Sequence, residues 1–281
     1  MKVAICLSGQ PRTWEKCYHT WIKLIDTIKQ NYQVDNVDIF CHFWDFNTPP
    51  HRLLMHEGWD YVTVPGESIS EDEKCRMISA LNPKGYLFEN ELSNKNKIKE
   101  THTRNATHLN EHGQTNLEWT AGQFYSIMYA CHLKKMYEYE NNFRYDVCIR
   151  MRTDMFFEDY QIKHFVAHDL VYPDTNTLYS CHTTKDGIQF PFHRLGDVFW
   201  YADTVTFNRI CDFYRWLPII GKRSFNNNLV GTEHSLYFYA KMMNMEISPL
   251  TFDPKIFRGR DYLNRKIKSG LEGELGGHEL I

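Results

Sequence analysis

An apolar, strand-like run ends in three closely spaced charges within the segment Tyr145–Phe157, YDVCIRMRTDMFF. The run at 147–149 consists of β-forming residues, and Arg150, Arg152 and Asp154 follow where a strand would pass into a loop. In an open α/β sheet, ligands bind at the carboxyl ends of the strands. Arginine suits phosphate oxygens and aspartate suits a divalent cation, so this strand end is predicted to carry a polar ligand. A strand that ends in a surface ion pair is the alternative interpretation.

The composition indicates a globular chain with a substantial core, because 42% of its 281 residues are hydrophobic. This length fits one large domain or two small fused ones. With 32 basic and 35 acidic residues, the formal net charge is −3. The chain therefore lacks the global positive field that non-specific nucleic-acid binding requires, and we expect no nucleic-acid partner. The 15% aromatic content supplies flat stacking faces as well as core.

The eight cysteines are scattered without a CxxC pair, which indicates free, buried thiols. The apolar run within residues 1–9 is too short for a signal peptide, and no stretch approaches the roughly 20 apolar residues of a membrane span. We therefore expect a cytoplasmic protein in a reducing compartment, with no membrane span.

A strand, a tight polar loop and a helix open the chain. The strand is predicted at 2–7, and an amphipathic helix is predicted from Trp14 to about Gln30. In doubly wound folds the first such loop commonly holds a nucleotide, because glycine lets the backbone approach and the amides at the helix start face anions. Neither a P-loop nor a GxGxxG fingerprint occurs here. The candidate nucleotide-binding residues of this loop are Ser8, Gly9, Gln10 and Arg12.

A second buried-type strand, Asp38–Asp45, also ends in groups that can bind a ligand. His42 and Trp44 lie near its end, just before a turn-forming segment at 47–50. Both are candidate substrate contacts. A histidine beside aromatic residues is more often satisfied inside the core, which is the alternative for His42.

The rest of the chain continues to alternate strand and helix, which predicts an α/β fold. Helices are predicted at 71–81 behind a capping box at Ser70, at 118–141, from Asp203 or Thr204 to Trp216, and at 233–243. Further strands are predicted at 61–64, 170–173, 179–182 and 196–202. A long exposed loop is predicted at 89–116, and the basic, glycine-rich tail from Arg258 either closes over a phosphate or is a frayed terminus.

Two carboxylates stand where a general base could reach a cleft. Asp197 lies at the start of a predicted strand, and Glu233 lies in the first turn of the last predicted helix, behind Thr232 as its N-cap. A carboxylate in a first helical turn is also ordinary capping chemistry, which is the alternative for Glu233.

Together these features resemble the glycosyltransferases of the GT-A fold. The sequences LSGQPRT, DIFCHFW and RMRTD are similar to motifs of small glycosyltransferases of large algal viruses, the chloroviruses, and of related bacterial capsule or lipopolysaccharide enzymes. The resemblance covers most of the chain through short motifs. It implies an α/β, GT-A-like (Rossmann-like) mixed central sheet flanked by helices. It also implies a single domain, with a nucleotide-sugar-binding half at 1–155 and an acceptor-binding half plus C-terminal tail at 156–281.

The same resemblance implies an inverting enzyme that moves a sugar from a nucleotide-sugar donor, UDP-xylose being one candidate, to a hydroxyl of an oligosaccharide or glycoprotein glycan acceptor. Such a reaction needs positive charge on the leaving diphosphate and a carboxylate that takes the acceptor proton. The implied base is Glu233 or Asp197. The implied donor-binding residues are Ser8, Gly9, Gln10, Arg12, Arg150, Arg152 and Asp154, and the implied substrate contacts are His42, Trp44 and His234.

The chain departs from the family pattern at two positions. Arg152 stands where the Asp-x-Asp motif has its first acid, which leaves Asp154 as the matching ligand for a divalent cation, Mn²⁺ or Mg²⁺. Arg150 and Arg152 could neutralise the diphosphate themselves, which would make the cation dispensable. His234 follows Glu233 where the family has aspartate. A non-catalytic carbohydrate- or nucleotide-binding module of the same fold is therefore the alternative function. If the chain is viral, the expected compartment is the host cytoplasm.

Overall fold

The computed structural model describes residues 1–34, 36–47, 67–90, 111–181, 195–224, 232–251 and 254–256. Seven strands form one sheet: β1 Val3–Gly9, β2 Val37–Trp44, β5 Gly85–Glu89, β6 Val147–Arg152, β8 Thr177–Cys181, β9 Phe199–Ala202 and β10 Glu246–Leu250. Two short antiparallel pairs join β3 Phe46–Asn47 to β4 Glu67–Ser68, and β7 Met155–Phe156 to β11 Lys255–Ile256. The helices are α1 Trp14–Tyr32, α2 Glu71–Leu81, α3 Glu111–Glu140, α4 Asp159–His164 with a π-helical continuation Phe165–Asp169, α5 Thr204–Cys211, α6 Phe213–Ser224 and α7 Thr232–Met242.

The large sheet is mixed, with the strand order β10-β8-β9-β6-β1-β2-β5. Strands β5, β2, β1 and β6 run parallel, β9 is antiparallel to β6 and β8, and β10 is parallel to β8. The chain moves outward from β1 through β2 to β5 and then returns to β6 on the other side of β1. Ligands in open α/β sheets bind where the strand order reverses in this way, which here is at the carboxyl ends of β1 and β6.

Helices cover both faces of the sheet, so the central strands are buried on both sides and are apolar along almost their whole length. On one face, Ile5 of β1 belongs to a core that includes Trp21 of α1. On the other, Cys6 belongs to a core that includes Phe124 of α3. The prediction of an α/β fold with a mixed central sheet flanked by helices is confirmed.

Two predicted helix starts are confirmed by their caps. The side chain of Ser70 accepts a hydrogen bond from the backbone N–H of Glu73 at 3.2 Å at the start of α2. Asp203 accepts from the N–H groups of Val205 at 2.8 Å and Thr206 at 3.2 Å at the start of α5. Both caps satisfy amide groups that the helix itself leaves unpaired.

Several predicted boundaries are wrong. Helix α3 begins at Glu111, inside the predicted loop 89–116. The sequence did not predict these first turns because they are too polar to show an apolar stripe. The segment 170–173 is not a strand; it leaves the π-helical turn, and the N–H of Val171 donates to the hydroxyl of Tyr201. The predicted helix from Asp203 to Trp216 is divided at Asp212 into α5 and α6.

Other predictions fall outside the described residues: the strand at 61–64, most of the loop at 89–116 and the C-terminal tail. In the described ranges, no helix combines the length and the apolar character needed to cross a bilayer.

Candidate functional site

The loops that follow β1 and β6 are joined to each other at the carboxyl edge of the sheet. The hydroxyl of Thr153 donates a hydrogen bond to the backbone carbonyl of Gln10. Arg12 donates from Nη1 to Oδ2 of Asp154 at 2.8 Å. Two loops far apart in sequence therefore form one structure at the point where the strand order reverses.

The carboxylate of Asp154 lies at the centre of this structure. Arg152 donates to both of its oxygens, from Nε at 2.8 Å and from Nη2 at 2.7 Å, and Arg12 adds a third hydrogen bond. The Asp154 side chain is only 1% exposed. This fork-shaped pairing is the strongest geometry open to an arginine and a carboxylate, and it fixes both guanidinium groups at the loop.

The pKa of Arg152 reflects the carboxylates in its surroundings. Burial, the largest single effect, acts to lower the pKa of Arg152, but the charge and hydrogen bonds of Asp154, together with the charges of Asp197 and Glu233, raise it. The candidate bases from the second half of the chain therefore act on the same guanidinium group as Asp154.

Backbone conformation turns the first loop toward Asp154. Gly9 has a φ of +119°, which favours glycine, and Arg12 has a φ of 49°, in the left-handed region. A left-handed conformation costs a non-glycine residue on the order of 1 kcal/mol. The ion pair with Asp154 stabilises Arg12 in this conformation.

Arg150 is a buried cation with an unused hydrogen-bond donor. It is 1% exposed, its Nη1 donates to the carbonyl of Val198, and its guanidinium carbon lies 4.9 Å from the ring centroid of Trp200. Its Nε has no acceptor among the described residues. Burial lowers its pKa to about 9, although the carboxylate of Asp197 opposes this shift. A guanidinium group in this state is suited to an anionic ligand.

Asp197 reaches the same edge because β9 is antiparallel to β6, so that β9 begins where β6 ends. Its Oδ2 accepts a hydrogen bond from Nε2 of Gln123 on α3 at 2.7 Å. The preceding Gly196 allows a close backbone approach, since a Cβ there would lie 2.1 Å from the carbonyl oxygen of Cys181.

Glu233 is half-buried in the first turn of α7. Its backbone carbonyl accepts from the N–H of Leu195 at 3.2 Å, which attaches the start of α7 to the segment that carries Asp197. The side chain of His234 lies outside the described part of the chain, so its predicted substrate contact stays a prediction.

Ser8, His42 and Arg152 are aligned across three neighbouring strands on the α3 face of the sheet. The hydroxyl of Ser8 is buried without a partner among the described residues. His42 is 0% exposed, and Trp44, at 3%, stacks against Tyr125 with ring centroids 5.4 Å apart. His42 and Trp44 thus lie inside the core beside the cluster, and substrate contact by either stays a prediction.

Several residues of the site were not found from sequence. Gln123 is a polar residue in an apolar helical run, which is a signal that could have pointed to it. Thr153 lies between two residues that were singled out. No local sequence signal marks Trp200 as a site residue, because its sequence context is that of an ordinary strand. It contacts Arg150 only because β9 pairs with β6.

The described residues do not offer a divalent cation a suitable set of ligands. Both oxygens of Asp154 already accept hydrogen bonds from guanidinium groups. Within the described ranges, no group of three or more His, Cys, Asp or Glu side chains could hold a metal ion. Mg²⁺ and Mn²⁺ require an oxygen-rich shell, so Asp154 in this arrangement does not fit the predicted cation.

Comparison with known proteins gives a distant likeness only. No family model matches the chain, and no curated protein matches it. Among solved structures, the apo form of mouse Xyloside xylosyltransferase 1 is similar over 89% of this chain and 85% of that one, with 7% sequence identity and a TM-score of 0.35. A likeness at this TM-score carries no weight for function, and the functional conclusions rest on the geometry of the site.

Proposed function

We propose that this chain is a glycosyltransferase that moves a sugar from a nucleotide-sugar donor to a hydroxyl of a glycan acceptor. The observation that carries the proposal is the buried group of Arg12, Arg152 and Asp154 at the edge where the strand order of the sheet reverses, with the buried guanidinium group of Arg150 on the same strand. Asp197 lies just before β9, which is antiparallel to β6, and the hydrogen bond from Leu195 to Glu233 attaches the start of α7 to the same segment.

The arginines supply what the leaving group requires. When the bond from the anomeric carbon to the diphosphate breaks, negative charge develops on the diphosphate, and fixed guanidinium groups stabilise that charge. Arg150 adds a fixed, buried positive charge near the end of β6, whereas Asp154 holds Arg12 and Arg152 in position. No step of the proposed reaction depends on a cation.

The carboxylates of the second half of the chain supply the base. In an inverting reaction the acceptor oxygen attacks the anomeric carbon from the side opposite the diphosphate, and a carboxylate removes its proton. We assign this role to Glu233, with Asp197 as the rival. Asp197 already accepts a hydrogen bond from Gln123, which suits a residue that orients the site.

We propose a cytoplasmic location and glycan acceptors, oligosaccharide or glycoprotein, as partners. All eight cysteines are free, and seven of them are buried, as expected for a protein of a reducing compartment.

The proposal is tested by incubating the purified protein with a panel of nucleotide sugars that includes UDP-xylose. Thermal shift selects the donors that bind, because a ligand specific for the native state raises its melting temperature. Release of nucleoside diphosphate and transfer of labelled sugar to glycans are then measured with EDTA and with Mn²⁺. Turnover in EDTA would support the arginine-based reaction, and strict dependence on Mn²⁺ would support the cation expected from the sequence.

A non-catalytic binding module is the second candidate. It is favoured by the complete pairing of Asp154 with arginines, where the related enzymes are expected to place a cation. A donor that binds tightly but is neither hydrolysed nor transferred under any metal condition would select this candidate over the enzyme.

A further inference from the structure

A chain of buried hydrogen bonds connects the end of β5 to the last residue of β1. Nε2 of His42 lies 2.6 Å from Oε2 of Glu89, and Nδ1 of His42 lies 2.8 Å from Oγ of Ser126 on α3. The N–H of Gly9 donates to the same Oγ at 2.9 Å. These hydrogen bonds thus lead from a half-buried carboxylate to Gly9, the residue at which β1 ends and the loop that carries Arg12 begins.

The proton positions in this chain follow from its two ends. The Glu89 carboxylate only accepts, so Nε2 of His42 carries a proton and Nδ1 is free to accept from the hydroxyl of Ser126. Burial lowers the pKa of His42, although Glu89 opposes this shift, which favours the neutral ring. The carbonyl of His42 is a second acceptor for the hydroxyl, at 3.0 Å. When the hydroxyl donates to Nδ1, a lone pair of Oγ is available to the N–H of Gly9.

Ser126 holds the loop at a point that its contacts with the β6 side do not reach. Thr153 holds the carbonyl of Gln10, and Asp154 holds Arg12, both from the β6 side. Gly9, with its φ of +119°, is the point where the backbone leaves the strand, and its N–H is fixed from the opposite side by α3. Ser126 itself is 0% exposed, so its hydroxyl reaches no substrate and does not serve as a nucleophile.

We propose that Ser126, oriented by His42 and Glu89, is a positioning residue that fixes the loop 9–13 in its ligand-binding conformation. The identity of the ligand, a nucleoside diphosphate group, rests on the proposed function. The fixation of the loop does not, because it concerns the free protein.

The test of loop fixation is amide hydrogen exchange of the free protein. Ser126→Ala removes the acceptor of Gly9 and should speed exchange of the amides of Gly9, Gln10, Arg12 and Thr13 on the order of tenfold, the usual effect of losing one hydrogen bond. Exchange in β8, at the far side of the sheet, should not change. The matched control is Thr206→Val, which removes another buried hydroxyl that accepts a backbone N–H, that of Asn176 at 2.8 Å.

The control variant should leave exchange at 9–13 unaltered. Unchanged exchange in this loop of Ser126→Ala, or an equal rise in Thr206→Val, would overturn the proposal. If Ser126→Ala does not fold, Glu89→Ala, which removes the acceptor of His42, tests the far end of the chain: faster exchange confined to the same loop supports the proposal, and no change there refutes it.

A second measurement separates this inference from the proposed function. In Ser126→Ala the KM for the nucleotide sugar should rise on the order of tenfold, with a smaller change in kcat, because the loop must be ordered when the donor binds. A wild-type protein that turns over no nucleotide sugar would refute the proposed function, while the exchange result would still decide whether Ser126 fixes the loop. A KM equal to that of the wild type, together with faster exchange, would refute the role of the loop in donor binding.

Discussion

Arg152 binds the carboxylate of Asp154 through two parallel hydrogen bonds, although a single residue separates them in sequence. Arg12, from the loop after β1, completes the group. The ion pair that was the alternative interpretation of this strand end is present, but Asp154 is 1% exposed, so the pair is buried rather than on the surface, and the predicted ligand stays a prediction. A surface pair contributes under about 1 kcal/mol, whereas removing one partner of a buried group leaves uncompensated charge.

We predict that Asp154→Asn lowers the free energy of unfolding by about 3 kcal/mol, because two guanidinium groups then lose their shared partner. Urea denaturation measures this change. Turnover of the nucleotide sugar should also be lost, since Arg12 and Arg152 are no longer held at the loop. A folded variant of normal activity would remove Asp154 from the site.

The control for Asp154 is Asp159→Asn. Asp159 forms an ion pair with Lys23 in which the side chains are 67% and 50% exposed. Solvent screens such a pair, so both the melting temperature and the activity should remain close to those of the wild type. Equal effects of the two substitutions would show that burial of Asp154 has no special consequence.

Sequence patterns could locate the two loops of the site but could not join them. The charges after the strand at Asp154 and the polar loop at Gly9 are local signals, and both lie at the predicted edge of the sheet. The ion pair between Arg12 and Asp154 spans 142 residues. Nothing in either segment specifies its partner, because that pairing results from the order of the strands.

Two strands, β5 and β10, were not predicted from the sequence because tertiary pairing, not local propensity, stabilises them. Strand β10, Glu246–Leu250, contains Pro249, which weakens any strand prediction, and it forms because β8 offers a parallel partner. Strand β5, Gly85–Glu89, starts with glycine and is stabilised by pairing with β2. In both, tertiary pairing outweighs local propensity.

We predict that Arg150→Met separates stability from binding. Arg150 is buried, and its Nε lacks an acceptor among the described residues, so an apolar side chain should leave the free energy of unfolding unchanged or raise it by up to about 2 kcal/mol. Affinity for the nucleoside diphosphate should fall on the order of 30-fold, from a loss of about 2 kcal/mol. Calorimetric titration and urea denaturation of one preparation measure both.

The control is Arg144→Met, an exposed position just before the opposite end of β6. It should change neither quantity. Unaltered affinity in Arg150→Met, with stability reduced, would instead assign the buried guanidinium group a purely structural role.

We predict that stability falls at acid pH through His42. Burial lowers the pKa of His42 in the folded protein, against a value near 6.5 in the unfolded chain, so the unfolded state binds the proton first. The stabilisation is complete above about pH 6.5 and is lost below it, by at most about 1.4 kcal/mol per pH unit. Glu89 opposes this loss, and the neighbouring rings of Trp44, Tyr125 and Tyr129 carry no charge there.

Unfolding free energies at pH 7.5 and 5.5 test this prediction when wild type is compared with His42→Gln. The variant should lose less stability between the two values, because a titrating group has been removed. Identical differences in the two proteins would show that His42 does not contribute to the pH dependence.

The assignment of Glu233 as the general base can be tested by substitution. Glu233 is half-buried at the start of α7, and its charge acts on Arg152. Glu233→Gln should therefore lower kcat by a factor of about 10² to 10⁴ and leave the affinity for the donor intact. The matched control is Glu71→Gln, since Glu71 occupies the first turn of α2 with an exposed side chain and tests capping alone.

The rival assignment makes the opposite prediction. Asp197 is buried and accepts a hydrogen bond from Gln123, so Asp197→Asn should impair donor or acceptor binding more than kcat if it orients the site. A folded Asp197→Asn protein that binds the donor but is inactive, together with a Glu233→Gln protein that melts early and turns over normally, would transfer the role of base to Asp197. The two roles affect different kinetic constants. Loss of a base lowers kcat because the base acts only in the transition state, whereas loss of an orienting group weakens substrate binding because that group already acts in the ground state.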